Sequence, residues 1–142
     1  MLKVLVVDDS MIIRRQITNI FVEMGHEVIA EAKDGKSAIS IYRDKKPDFV
    51  TMDITMPDMD GIETVTKIKS KDKSAKILMV TSHGQEKMVI QSIKAGAKGY
   101  ILKPVTVQKM QEALNKIFPE LTKKKAEKEK LELDDEIAQL ED

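Results

Sequence analysis

The sequence has no cysteine and no tryptophan, and only 4% of its residues are aromatic. Without cysteine, the chain can form no disulfide and has no thiol chemistry. The scarcity of aromatic side chains argues against a protein that binds nucleic acid by base stacking. No apolar run approaches the roughly 20 residues that a membrane-spanning helix needs. We therefore expect no function that depends on a thiol, on base stacking or on a membrane-spanning helix.

What is present is typical of one globular domain. The chain has 142 residues, of which 42% are hydrophobic and 34% charged, and its formal net charge is zero. The charge is unevenly spread, because residues 1–121 hold 19 Lys/Arg and 16 Asp/Glu, whereas residues 122–142 hold 5 and 8. No basic arm stands out, so we expect no nucleic-acid partner. The start, Met1-Leu2-Lys3, has no signal-peptide pattern, so we expect a cytoplasmic protein without a membrane partner.

Short runs rich in β-branched residues alternate with segments whose apolar residues recur at helical spacing. The predicted strands are 2–7, 26–32, 48–53, 76–81 and 98–102, and the predicted helices are 11–24, 36–45, 61–70, 85–95 and 105–117. This alternation predicts an α/β domain, in which helices cover both faces of a parallel sheet. We expect the domain to occupy residues 1–118 and a charged extension to follow at 119–142.

Four of the predicted strands end at polar side chains. These residues are Asp8 and Asp9, Asp53, Thr81, and Lys103. In an open parallel sheet, ligands bind outside the carboxyl ends of the strands, so these residues should share one edge. Three carboxylates suit a hard divalent cation, and a hydroxyl and an ammonium suit an oxyanion such as a phosphoryl group.

The C-terminal extension has a pattern of its own. Residues 122–142 contain neither Gly nor Pro, and Ala126, Leu133 and Leu140 recur every seven residues with Ile137 between them. The pattern predicts a narrow amphipathic helix. Its lysines come first and its carboxylates last, which opposes the helix dipole unless the helix packs on the domain or on an antiparallel partner. We predict such a contact, with a solvated, fraying helix as the alternative.

Five positions and two short motifs occur in the order seen in a known family. They are the Asp8-Asp9 pair, Asp53, the loop Met56-Pro57-Asp58-Met59-Asp60-Gly61, Thr81, and the Lys103-Pro104 pair. Together they resemble the receiver domain of two-component response regulators, over roughly residues 1–118. The resemblance implies a flavodoxin-like five-stranded parallel sheet of order 2-1-3-4-5 with five flanking helices. Among members of this family, the chain most resembles single-domain chemotaxis regulators. The features that carry this resemblance are the segment 51–57, Tyr100 and the lack of another domain.

The resemblance implies a chemistry for the strand ends. Asp53 would accept a phosphoryl group from a phosphohistidine on a sensor histidine kinase. Asp8, Asp9, Asp53 and the backbone carbonyl of Thr55 would hold Mg²⁺, a cation that uses few carboxylates and keeps several waters. Lys103 would neutralise a phosphoryl oxygen.

Further residues would switch the domain and set the lifetime of the phosphoryl group. Thr81 and Tyr100 would carry the switch, while Thr55 and His83 would flank the path of an attacking water. Simpler interpretations stay open, since Tyr100 could be an ordinary half-buried tyrosine, His83 an exposed loop residue and Asp9 a helix cap.

Two further expectations concern the loops. Asp58 and Asp60 are expected to be turn and cap residues rather than ligands. By resemblance, the Lys103-Pro104 bond is cis, which would aim the lysine amine inward.

The function implied is that of a phosphorylation-activated response regulator, which signals in chemotaxis to a flagellar motor switch protein and dephosphorylates itself. The alternative is a phosphorelay intermediate that passes the phosphoryl group to a histidine phosphotransfer protein. A phosphatase is a possible further partner, and we expect a monomer in which the tail could mediate association. A haloacid-dehalogenase-type enzyme is disfavoured, because Asp8-Asp9-Ser10-Met11-Ile12 lacks its Asp-x-Asp-x-Thr pattern. A transcription factor is disfavoured because the 24 residues after 118 are too few for a DNA-binding module.

Overall fold

The computed structural model describes residues 1–82 and 84–140, and it describes residues 122–125 by their backbone alone. Five parallel strands form one sheet in the order β2-β1-β3-β4-β5. The strands are β1 (Lys3–Val7), β2 (Glu27–Ala32), β3 (Phe49–Asp53), β4 (Ile77–Thr81) and β5 (Gly99–Leu102). The flavodoxin-like α/β fold and the strand order implied by the resemblance are therefore confirmed.

A helix follows every strand, and a sixth helix extends the chain. The helices are α1 (Met11–Glu23), α2 (Gly35–Lys45), α3 (Gly61–Lys71), α4 (Glu86–Ala95), α5 (Val107–Ile117) and α6 (Pro119–Leu140). The bounds of the five strands and of α1 to α5 differ by at most two residues from those predicted. Among the described residues, none of the helices is both long enough and apolar enough to cross a membrane.

Side chains cap four of these helices at their first turn. The oxygen atoms of Ser10, Asp34, Asp60 and Thr106 each accept a hydrogen bond from the backbone N–H three residues later. Each such cap satisfies a backbone donor that has no partner within the helix. The cap of α1 directly follows the acidic pair after β1, and the cap of α3 ends the loop that begins after Asp53, so both caps help to hold those loops in place.

The core lies on both faces of the sheet. One apolar cluster, which includes Leu5 and Met79, packs under α2 and α3, and the other, which includes Val6, Phe21 and Phe49, packs under α1 and α5. Strands β3 and β4 are buried along their whole length. Burial on both faces explains why they appear as continuous apolar runs rather than as alternating ones.

The C-terminal extension is helical, as predicted. The break after α5 falls at Phe118, which is 7% exposed, and α6 begins at the next residue. Leu121 packs against the apolar cluster under α1 and α5. Every side chain from 126 to 140 is exposed. The predicted division of the chain at residue 118 coincides with this break but stays a prediction.

The extension contacts its own domain only near its start, and its apolar residues farther along α6 do not pack on the domain. Leu133, Ile137 and Leu140 are 55%, 47% and 85% exposed. The physical reason is the length of α6, because a helix of 22 residues is about 33 Å long. Its first turns rest on the base of the domain, and the stripe lies farther along the helix. A contact with a partner stays open.

Candidate functional site

The carboxyl ends of the strands bring the predicted site residues to one edge of the sheet. Asp53 is the last residue of β3, and Asp8 directly follows the last residue of β1. These two strands are neighbours, with Val7 paired to Met52, so the two carboxylates lie side by side. The reason is topological, since the chain forms β2 on one side of β1 and then crosses back to form β3 on its other side, where the strand order reverses.

Three carboxylates form a cluster at this edge. Asp8, Asp9 and Asp53 each offer an oxygen, and these three atoms lie within 4.8 Å of one another. Asp8 is fully buried and Asp53 is 5% exposed, whereas Asp9 is exposed. The cluster therefore consists of two buried carboxylates and one that is open to solvent.

Lys103 supplies a positive charge from the end of β5. Its Nζ lies 2.8 Å from Asp8 Oδ2 and 3.5 Å from Asp53 Oδ1. The Lys103-Pro104 bond is cis, as the resemblance implied. One ammonium facing three carboxylates leaves the site with a formal excess of negative charge when all three are ionised.

Burial and this excess of negative charge both act on the pKa of Asp53. Burial is the largest cause and the charge of Asp8 the second, and together they raise the pKa of Asp53 to about 6, against the opposing effect of Lys103. A carboxyl group at such a position holds its proton more tightly than a free one because its charge is poorly compensated. A cation bound at the cluster would relieve this repulsion.

The donor atoms fit a hard divalent cation. The backbone N–H of Ser10 donates to Asp8 Oδ1 at 2.9 Å, which orients the carboxylate. Its other oxygen, Oδ2, is buried and contacts Lys103 only as an ion pair, with no hydrogen-bond donor aligned to it among the described residues. A buried carboxylate oxygen that lacks a hydrogen bond, beside two further carboxylates, is suited to Mg²⁺.

The loop after β3 passes very close to the acceptor. A Cβ atom at Gly61 would lie 2.0 Å from the backbone oxygen of Asp53, so a side chain there would clash with the backbone. Asp58 has a φ of 67° and Asp60 caps α3, so both are turn and cap residues, as predicted. Thr55, whose carbonyl is the fourth predicted metal ligand, is an exposed residue of this loop.

The two predicted switch residues differ in exposure. Thr81, the last residue of β4, is 1% exposed, whereas Tyr100 on β5 is 47% exposed. Tyr100 pairs with Met79, two residues before Thr81, so the tyrosine lies farther from the carboxylate cluster than the threonine. In this structure the side chain of Tyr100 is thus partly exposed to solvent. His83, the predicted lifetime residue, lies outside the described residues.

One residue near the site was missed by sequence reasoning. Arg14 donates from Nη1 to the backbone oxygen of Asp8 at 2.8 Å and pairs through Nε with Glu31 at 3.2 Å. It thereby ties the Asp8 backbone to the end of β2. The signal in the sequence was its place four residues after the cap Ser10, which puts it on the side of α1 where the chain enters the helix.

The chain is similar to a known protein family and to several characterised proteins over most of its length. The response regulator receiver domain family matches residues 4–115. The chemotaxis protein CheY of Listeria monocytogenes is 49% identical over 116 residues, which are 82% of this chain and 98% of the relative. CheY of Bacillus subtilis is 47% identical over 114 residues, which are 80% of this chain and 95% of that protein.

A solved structure is similar in fold as well as in sequence. It is the complex of CheX with CheY, BeF₃ and Mg²⁺ from Borrelia burgdorferi. The match has a TM-score of 0.79 and 38% identity, and it covers 82% of this chain and 88% of that chain.

Proposed function

The chain belongs to the response regulator receiver domain family, and we propose that it accepts a phosphoryl group on Asp53 from the phosphohistidine of a sensor kinase. The observation that carries this proposal is the cluster of three carboxylates with the ammonium of Lys103 placed 2.8 Å from Asp8 and 3.5 Å from Asp53. Such a cluster combines a nucleophile with the groups that neutralise an incoming phosphoryl group.

The transfer exchanges one bond of phosphorus for another. A carboxylate oxygen of Asp53 attacks phosphorus, the P–N bond to the kinase histidine breaks, and an aspartyl phosphate forms. Catalysis of phosphoryl transfer rests mainly on positioning and on charge stabilisation. Lys103 would pair with a phosphoryl oxygen, which compensates part of the negative charge that the group brings.

Mg²⁺ would be held by Asp8, Asp9, Asp53 and the backbone carbonyl of Thr55. When bound, it supplies Lewis-acid stabilisation and orients the reacting oxygens. Water attack on the aspartyl phosphate would later return the protein to its starting state. Thr55 and His83 are the residues proposed to set the rate of that step.

Thr81 is buried at the end of β4, where its hydroxyl could link phosphorylation of Asp53 to a change at the surface. In the proposed switch, the hydroxyl donates to a phosphoryl oxygen, and Tyr100 moves inward from its exposed position. Shifting a population from 1:99 to 99:1 requires about 5.5 kcal/mol. A hydrogen bond to a charged group contributes only about 1.5–3 kcal/mol, so the contacts of Lys103 and the cation must supply the rest.

The output proposed for the chain is chemotaxis. Its relatives named CheY are matched over nearly their whole length, which supports the same pathway for this chain. The phosphorylated form would bind a flagellar motor switch protein. The Borrelia CheY structure contains CheX, and a protein of that kind is a candidate phosphatase partner here.

The test of the acceptor is phosphoryl uptake from acetyl phosphate with Mg²⁺, followed by intact-mass spectrometry. We expect one phosphoryl group on the parent and none on Asp53→Asn or after addition of a chelator. The matched control is Asp58→Asn, which removes a carboxylate from the exposed loop and should still be labelled. Labelling of Asp53→Asn would refute the assignment of the acceptor.

The test of the output uses the phosphorylated chain and two purified proteins. Binding to a flagellar motor switch protein, with phosphorylation increasing the affinity, is the expected result. Transfer of the phosphoryl group to a histidine phosphotransfer protein, without such binding, would instead indicate a phosphorelay intermediate.

A further inference from the structure

The exposed half of α6 presents an apolar stripe with acidic borders. Leu133, Ile137 and Leu140 share one face, since they stand four and three residues apart. Between residues 126 and 140, where every side chain is exposed, there are six carboxylates and two lysines. Glu129 and Glu136 lie along one border of the stripe, seven residues apart. We call this surface, from residue 126 to residue 140, the tail stripe.

A groove with the opposite charge lies between β5 and α5. It has a volume of about 530 Å³, and its lining includes three lysines and one carboxylate. The charged residues are Lys98, Lys109, Lys116 and Glu112. Its apolar lining includes Tyr100 and Leu102, which are 47% and 41% exposed. We call this surface the β5–α5 groove.

We propose that the tail stripe of one copy of the chain docks in the β5–α5 groove of a second copy. The two surfaces are complementary in polarity, because an acid-bordered apolar stripe meets a lysine-bordered apolar groove. Burial of the stripe provides affinity, and the charges favour one orientation and disfavour other partners.

The spacing of the charges supports the pairing. Lys109 and Lys116 are seven residues apart on α5, as Glu129 and Glu136 are on α6, and seven residues of α-helix span about 10.5 Å. Two glutamate–lysine pairs can therefore form at once when the helices lie side by side. Lys109 is held at one end of the groove by the backbone oxygens of Leu102 and Pro104, each 3.1 Å away.

The occupant is a second copy rather than the helix of the same chain. No linker separates α5 from α6, because Phe118 ends one helix and Pro119 begins the other. Phe118 is 7% exposed and its ring packs edge-on against Phe49 at 5.6 Å, while Leu121 packs on the same cluster. Folding α6 back onto its own groove would pull both anchors out of the core. A second copy can reach residues 131–140 without any rearrangement, whereas Ala126 and Glu129 also line a groove with Met24 and Gln111 of their own chain.

A reciprocal exchange would close the pair. If each copy places its stripe in the other's groove, the same two contacts occur twice around a two-fold axis. The association needs no phosphoryl group, cation or other protein, so it does not rest on the function proposed above. It would occupy Tyr100, the residue to which the proposed switch assigns a movement.

The experiment is sedimentation velocity on the full unphosphorylated chain over a wide range of concentration, in chelator. We expect a monomer–dimer equilibrium that weakens at high salt, because salt screens exposed charge pairs. Leu133→Asp should weaken the dimer about tenfold or more, because it removes a side chain buried on docking. The matched control, Leu131→Asp, changes a leucine that is 64% exposed and lies off the stripe, and it should have no effect.

Charge reversal identifies the groove. Lys116→Glu and Glu136→Lys should each weaken the dimer, and the chain that carries both substitutions should regain it. Circular dichroism should be unchanged, since all of these side chains are on the surface.

Three results would overturn the proposal. One is a monomer at every concentration. Another is a dimer that Leu133→Asp abolishes but Lys116→Glu leaves intact, which would indicate pairing of α6 with α6. The third is a change in hydrogen exchange at the groove when Leu133→Asp is introduced in dilute monomer, which would indicate docking within one chain.

Discussion

Replacing the acceptor by its neutral isostere should make the protein more stable. In Asp53→Asn the side chain keeps its shape but loses a charge that burial and Asp8 disfavour. The pKa of Asp53 is raised from 3.8 to about 6. At about 1.36 kcal/mol per pKa unit, the ionised form costs the native state about 3 kcal/mol at neutral pH. We therefore expect Asp53→Asn to raise the free energy of unfolding by about 2–3 kcal/mol at pH 7 in the presence of chelator.

The effect has a definite dependence on pH. Below the ordinary pKa of 3.8, both the folded and the unfolded chain hold the proton on Asp53, so parent and variant should be similarly stable. As pH rises from 3.8 to about 6, the unfolded chain releases this proton before the folded one, and the parent loses stability relative to the variant. Above about 6, the difference should be constant.

Urea denaturation at several pH values measures this difference. The control is Asp58→Asn, which makes the same change in net charge at an exposed residue with positive φ, a conformation that Asn tolerates. Its free energy of unfolding should stay within about 0.5 kcal/mol of the parent. A variant at Asp53 that is no more stable than the parent at pH 7, or a gap that persists unchanged at pH 4, would refute the reasoning.

Mg²⁺ should reduce the difference in the free energy of unfolding between Asp53→Asn and the parent. A ligand that binds only the folded state stabilises it by about 1.4 kcal/mol at ten times its dissociation constant. The parent should gain this stability, and Asp53→Asn should gain less, because one of three carboxylates has lost its charge. If Mg²⁺ raises the free energy of unfolding of both proteins equally, the cation does not bind at Asp53.

Two further predictions concern packing and hydrogen bonding. Gly61→Ala should destabilise the domain by about 1–3 kcal/mol in urea denaturation, because its Cβ would lie 2.0 Å from the backbone oxygen of Asp53. Gly99→Ala, whose Cβ would meet its nearest neighbour at 3.6 Å, should be tolerated, and equal effects of the two would contradict the argument. Tyr42→Phe removes a hydrogen bond of 2.6 Å to Asp72 and should cost about 0.5–1.5 kcal/mol by the same assay, whereas no loss of stability would mean that the bond contributes nothing.

Much of the fold could be predicted because its signals are local. Helices α1 and α3 begin at residues that favour helix starts, namely Ser10, Asp60 and Gly61. The spacing of apolar residues also differs between helices and strands. These preferences act through neighbouring backbone groups, so they can be read without knowing the tertiary structure. The strand order was a different matter, since it came from the resemblance and not from any local pattern.

The candidate site was predicted for a related reason. Parallel strands have the same direction, so the residues that end them must meet at one edge. That argument brings Asp8, Asp53 and Lys103 together without specifying any distance. Asp34 was not among the predicted residues, although the structure makes it the cap of α2.

The sequence by itself determined the order of helices and strands, the carboxylates at the strand ends and the amphipathic tail. Only the tertiary structure decided that Arg14 holds the backbone of Asp8, that Tyr100 is half exposed, and that the stripe of α6 extends beyond its own domain. The physical reason is that these features depend on contacts between residues distant in sequence. The packing of the helices on the sheet sets which side chains are buried, which charges are paired and how far α6 extends from the domain. No local pattern of residues specifies these features.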